Sequence, residues 1–231
     1  MIRATLCLLY LVPIVGSVRN EPSIVHALEA RYHHASTLKA SFYQRYSDGK
    51  GGVTAESGTV YFSKPGRMRW EYESPEQKLF IVDGTNVWFY VPADHTASRA
   101  KIGDSSDWRT PLAFLTGKAD LVRLCRSIKI VNPKPDGDPS ANPTAVGNTV
   151  LRCVPRIEGS NTGEEIREVL LEANSDAYLV RIIIRQAGKL ETEFRFGGWE
   201  ENLLIPETKF HFVPPPGVAI VDESTLAGSL H

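Results

Sequence analysis

The run Met68-Arg69-Trp70-Glu71-Tyr72-Glu73 alternates apolar and charged side chains without a break. A period of two belongs to an extended strand, so Met68, Trp70 and Tyr72 share one face and the charges take the other. The neighbouring sequence repeats this logic. Leu38 to Tyr46 and Val53 to Ser63 have strand character and are separated by a loop, Ser47 to Gly52. Lys64-Pro65-Gly66 is a turn, in which proline presets φ and glycine permits positive φ. Lys78 to Val82 and Val87 to Val91 flank Asp83-Gly84, a hairpin signal. Val87 to Val91 is apolar on both faces, so both sides of the sheet are expected to be covered there.

Further strands are expected over 126–132, 149–156, 166–172, 178–186, 189–199 and 208–213. Together these make about ten or eleven strands in sequential hairpins. A sheet that wide must curl or close. About three helices accompany it. One runs from about Asn20 to Ala35, with Ile24, Leu28 and Tyr32 as its apolar stripe, Asn20 as cap and Pro22 in its first turn. A short capped helix is expected over Thr110 to Leu115, and another over Lys118 to Leu124. Residues 133–147 are rich in proline and glycine and read as a long exposed loop. No linker divides the chain, so the reading is a single α+β domain: a curled antiparallel sheet with helices as the only cover for its apolar face.

The first residues are a different kind of sequence. Arg3 is followed by the uncharged run Ala4 to Val15, then by Gly16 and Ser17. This is the pattern of a secretory signal peptide over residues 1–17, leaving 18–231 as the mature domain. As a helix the apolar run spans about 18 Å, short of the roughly 30 Å of a bilayer core, which weighs against the alternative of an uncleaved membrane anchor. Cys7 lies within that run, so it is badly placed to become a lipid-modified first residue. An exported chain with Cys125 and Cys153 permits a disulfide across what reads as a hairpin with a long loop; two buried free thiols are the alternative.

Function classes fall away in turn. Lys+Arg is 26 and Asp+Glu is 27, a net charge of −1, which argues against a nucleic-acid partner. There is no HExxH, GxSxG or P-loop, and no CxxC or ligand-spaced histidine pair for a metal. Gly103-Asp104-Ser105 lacks a downstream Asp–His partner for a serine hydrolase. His33 and His34 are adjacent helix positions pointing about 100° apart, poorly placed to share a metal. Neither enzyme, cofactor nor metal is expected. What stands out is an apolar load in the middle third: Met68, Trp70, Tyr72, Phe80, Val82, Trp88, Phe89, Tyr90, Phe114 and Leu115. An ordinary core or an apolar ligand cavity accounts for it.

Several of these blocks occur in a familiar order. They are Ala40-Ser41-Phe42-Tyr43-Gln44-Arg45, Lys64 to Tyr72, Val82 to Pro92, Thr110-Pro111-Leu112, and Phe210 to Val218 with its three consecutive prolines. The series, from about residue 22 to about residue 222, resembles the outer-membrane lipoprotein carrier family, LolA. The resemblance implies an unclosed barrel lidded by helices over an apolar cavity. It also implies a periplasmic carrier that takes acylated lipoproteins from an inner-membrane ABC-type release complex to an outer-membrane acceptor. Such a carrier works as a monomer without catalysis. Another amphiphilic ligand on the same fold is the alternative.

By position the resemblance makes Met68, Trp70 and Phe80 cavity residues, and alternation adds Tyr72 and Val82; Trp88 and Tyr90 complete the expected lining. Leu28, Leu112, Phe114 and Leu115 are the expected lid. Where the family often has an arginine that bonds lid carbonyls, this chain has Lys64, a point charge without the planar fork. The expected latch is therefore Lys64, or its neighbour Arg67.

Overall fold

The structure, a computed structural model, describes residues 23–102, 115, 120–131, 146–156 and 166–222. The expected leader, Asn20 and Pro22, the helix before Leu115, and Leu112 and Phe114 lie outside the described residues.

Strands β1 (Thr37–Ser47), β2 (Val53–Ser63), β3 (Arg67–Ser74), β4 (Lys78–Val82), β5 (Asn86–Val91) and β6 (Thr96–Lys101) form one antiparallel meander. A second comprises β7 (Cys125–Val131), β8 (Thr149–Pro155), β9 (Ile166–Ala173), β10 (Leu179–Gln186) and β11 (Glu191–Glu201). The two meet where β1 pairs with β11. Strand β12 (Ala219–Asp222) then joins β6 in parallel. The order is β12-β6-β5-β4-β3-β2-β1-β11-β10-β9-β8-β7, and the two end strands do not pair with each other. The sheet is unclosed.

Register explains its apolar face. Leu38, Phe62, Met68, Val82, Val87 and Ala100 are successive partners across β1 to β6. Ala40, Val60, Trp70, Phe80 and Phe89 make the next row. Directly opposed residues of paired strands point the same way, so each row is one band around the inner face. Curling follows from the contacts. Trp70 on β3 and Phe194 on β11 are separated by two intervening strands, about 14 Å on a flat sheet, yet their ring centroids are 5.4 Å apart. Gly58 permits one of the close approaches: a Cβ there would lie 1.9 Å from the Glu71 carbonyl oxygen on β3.

Helix α1 (Ser23–His34) covers one end of this face. Val25, Leu28 and Tyr32 are its buried stripe; Ile24, expected in it, is only half-buried, because it lies on the other side of Leu28 from Val25 and Tyr32. The Tyr32 hydroxyl accepts the Leu179 amide at 2.9 Å, and its ring meets Trp199 edge-on at 5.8 Å. Arg31 pairs with Glu201 at 2.6 Å and lies 3.8 Å above the Tyr178 ring. Helix α2 (Leu121–Leu124) is shorter than the Lys118–Leu124 expectation in its described part, and leads directly into β7.

Among the described residues twelve strands stand where ten or eleven are expected, and the difference has three sources. Strands β6 and β12 are missed because Thr96–Lys101 has only small apolar residues, Ala97 and Ala100, and Ala219–Asp222 is short and exposed throughout. Conversely, 208–213 is not a strand. Glu207–Phe210 is a 3-10 turn, and the chain then crosses the outer face. Pro206 and Pro214 to Pro216 lack the amide protons a ladder needs, so the alternation of Phe210 and Phe212 serves packing instead of pairing.

Candidate functional site

Met68, Trp70, Tyr72, Phe80 and Val82 all point into the curl and are buried there in one apolar cluster. Leu28 of α1, Leu115 and Leu121 of α2 belong to the same cluster. Sheet and cover therefore share one interior. Trp70 is its centre: 1% exposed, its ring 4.8 Å from Phe42, 6.0 Å from Phe62 and 6.2 Å from Phe196. Its indole nitrogen donates to the Met68 thioether at 3.4 Å. Tyr72 meets Phe42 edge-on at 5.0 Å and donates its hydroxyl to Gln44 at 2.9 Å. Burial and the nearby Glu56 carboxylate push the Tyr72 phenol well above its usual range.

Trp88 and Tyr90 do not line this interior. The strand period places them on the outer face, opposite Ile81 and Leu79. There Phe212 packs on both, 5.3 Å from Trp88 and 5.2 Å from Tyr90. The doubly apolar run Val87 to Val91 thus has two covers: its Val87 and Phe89 side meets the interior, and the other meets the C-terminal segment. The same segment engages the charges of β3. Arg67 donates to Glu207 at 2.9 Å, and Glu71 accepts from Arg69 at 2.6 Å and from Lys209 at 2.8 Å. Although burial opposes it, the Lys209 and Arg69 hydrogen bonds hold the Glu71 carboxyl below its usual range.

These contacts divide the two latch candidates. Arg67 faces outward and is committed to Glu207, so it does not reach the cover. The Lys64 ammonium does: it donates to the carbonyl of His33 in the last turn of α1. A cation at a helix C-terminus also meets the negative end of the helix dipole. Burial lowers the Lys64 pKa below the usual lysine range. A second tie joins α1 to the start of α2, where His33 Nε2 is 3.0 Å from Asp120 Oδ1. Lys64→Met is expected to weaken α1 docking by about 0.5–1 kcal/mol. Amide hydrogen exchange would read this as faster exchange in α1 with β3 and β4 unchanged. Uniform protection in both proteins would remove the latch role.

Several interior residues are legible as strand residues yet are not marked by any single motif. Phe42, Phe62, Phe194, Phe196 and Trp199 complete the aromatic lining. The alternations Phe42–Gln44 and Phe194–Phe196 are available signals, but β2 brings the first to Trp70 and only the β1–β11 pairing brings the second.

The fold is an open, almost wholly antiparallel half-barrel whose aromatic inner face and helical cover bury one apolar interior. Residues 33–140 match the family model of the outer membrane lipoprotein carrier protein LolA. Over 203 residues the chain is 27% identical to the outer-membrane lipoprotein carrier protein of Nitrosospira multiformis, covering 86% of this chain and 88% of that one. It is 29% identical over 203 residues to the protein of the same name from Nitrosomonas europaea, covering 86% and 89%. A solved LolA superfamily structure from Nitrosomonas europaea is 10% identical and covers 82% of this chain and 96% of that one, at a TM-score of 0.43. The chain is thus similar to the LolA carriers over most of its length.

Proposed function

We propose that residues 18–231 form a periplasmic carrier, exported by the leader at 1–17. It binds the acyl chains of lipoproteins released from the inner membrane and delivers them to an acceptor at the outer membrane. The observation that carries this reading is the shared apolar cluster of sheet and cover, joined to the likeness to named carriers. Each buried methylene contributes about 0.8 kcal/mol, so a lipoprotein with two or more chains does not leave a bilayer for water unaided. A carrier must offer comparable apolarity and still release its load. In this reading Leu28, Leu115 and Leu121 move with the cover, Lys64 holds it, and chains enter between them and the face carrying Met68, Trp70, Tyr72, Phe80 and Val82. Nothing is bonded or cleaved, so the chain needs no catalytic residue.

The test is displacement of a fluorescent apolar probe from the purified mature chain by a tripalmitoylated cysteinyl peptide. Binding and displacement are expected; a chain that takes up neither probe nor peptide is not a carrier. Met68→Glu puts a carboxylate among the interior side chains, where an unpaired charge is strongly disfavoured. It is expected to weaken peptide binding by at least about tenfold in a protein whose circular dichroism still reports the sheet. Undiminished binding would take Met68 out of the site.

A further inference from the structure

The inner face is not apolar throughout. Toward the loop that joins β1 to β2 it carries four polar side chains on adjoining strands. Gln44 is the partner of Glu56 across β1 and β2, and Tyr72 is the partner of Lys78 across β3 and β4. Because Gln44 follows Phe42 by two residues, and Lys78 precedes Phe80 by two, all four share the inner face with the aromatic cluster. Lys78 and Glu56 pair at 2.5 Å near the rim. Gln44 lies deeper, 3% exposed, opposite Phe194. The face therefore grades from rings, through an amide and a phenol, to an ion pair.

Gln44 is the anomaly. Its Oε1 accepts the Tyr72 hydroxyl at 2.9 Å, so Nε2 is the other end of the amide. Among the described residues that Nε2 donates to no partner. A buried donor left without an acceptor is costly, so one in a native interior calls for an explanation. An acyl chain supplies what is missing. By definition it ends in a carbonyl, and that oxygen loses water when the chain is buried.

Resting on the carrier reading above, we propose that Gln44, oriented by Tyr72, donates to the carbonyl at the head of a bound acyl chain. The methylenes then run toward Trp70, and whatever the chain is attached to emerges past Glu56 and Lys78. The site selects acyl over alkyl amphiphiles. It also fixes how deep a chain slides, which an apolar surface alone does not do.

The test compares two competitors for the probe: monopalmitoyl glycerophosphocholine and its hexadecyl ether analogue, which lacks only the carbonyl oxygen. The unmutated chain is expected to prefer the acyl form by about fivefold. The variant Gln44→Leu/Tyr72→Phe removes both partners of the buried hydrogen bond, a change that leaves stability near that of the parent. It is expected to lose the preference, so that the acyl and ether forms compete equally. A tripalmitoylated cysteinyl peptide, run as third competitor, is expected to lose affinity in the same variant. If both lipids bind the unmutated chain equally, the carbonyl assignment falls and the carrier reading stands. A preference that survives in the variant also overturns it, and peptide binding that is unaffected overturns it for protein-borne chains. If no amphiphile binds, both readings fail together.

Discussion

Replacing Trp70 with alanine lowers the unfolding free energy by about 3–5 kcal/mol, the range for loss of a large buried aromatic. The denaturant midpoint should fall with little change in slope. The magnitude follows from position. Four rings, Phe42, Phe62, Phe194 and Phe196, approach Trp70 from β1, β2 and β11. No one of them can move into the space without giving up its own neighbours. The loss should therefore lie above that of a side chain packed on one side only. The void left by the indole is apolar and dry, and such voids take up small apolar molecules. The variant is accordingly expected to bind benzene or xenon more tightly than the parent even though it is less stable. Trp88→Ala is the contrast. Trp88 is on the outer face against Phe212 and Arg99, so its loss costs stability without altering uptake of an apolar probe. A Trp70→Ala cost below about 1 kcal/mol would mean that the two meanders do not meet on this ring.

The features legible from sequence were those with local causes. Alternation over Met68 to Glu73 gives both the strand and its inner face, and Asp83-Gly84 gives the hairpin that places Val82 opposite Val87. Features decided by distant chain were not legible. Trp88 and Tyr90 belong to an outer core that exists because Phe210 and Phe212 return across the sheet from more than a hundred residues away. Once β5 is apolar on both faces, alternation cannot say which face is inner; only its pairing with β4 does. The same return decides Arg67, which is spoken for by Glu207, whereas Lys64 sits beyond the strand end and reaches α1.

Gln44 shows a subtler limit. In Phe42-Tyr43-Gln44-Arg45 a glutamine at an inner position reads as an ordinary polar residue of a half-exposed strand. Its burial follows from β11 lying alongside β1, which sets Phe194 opposite it. A polar group in a core costs stability where part of it is left without a hydrogen-bond partner. Among aromatic rings it gives the buried Tyr72 hydroxyl an acceptor, and the amide nitrogen is the part that the proposed acyl carbonyl would satisfy. The ion pairs on the outer face, such as Glu71 with Arg69 and Lys209, carry no such implication, since each is satisfied within the protein.

Removing the bond between Cys125 and Cys153 lowers stability by roughly 3–4 kcal/mol, from the loop entropy it withholds from the unfolded chain. The two residues are 28 apart in sequence, with Cα atoms 5.5 Å apart, and both are buried in the main cluster. The location sharpens the expectation. Cys125 is the first residue of β7, immediately after α2, and β7 is an end strand with β8 as its pairing neighbour. Cys153 lies on β8, opposite Ile128. The bond thus holds the junction of cover and sheet at the edge where backbone pairing is one-sided. In Cys125→Ala/Cys153→Ala, hydrogen exchange should accelerate most in α2, β7 and β8, while β1 to β5 change only with global stability. The native exported protein should resist alkylation until it is reduced and then take two adducts. Two adducts without reduction would show free thiols and end the prediction. If the bond is present but the double variant loses less than about 1 kcal/mol, the 28-residue span is already constrained in the unfolded chain, and the loop-entropy account fails for this protein.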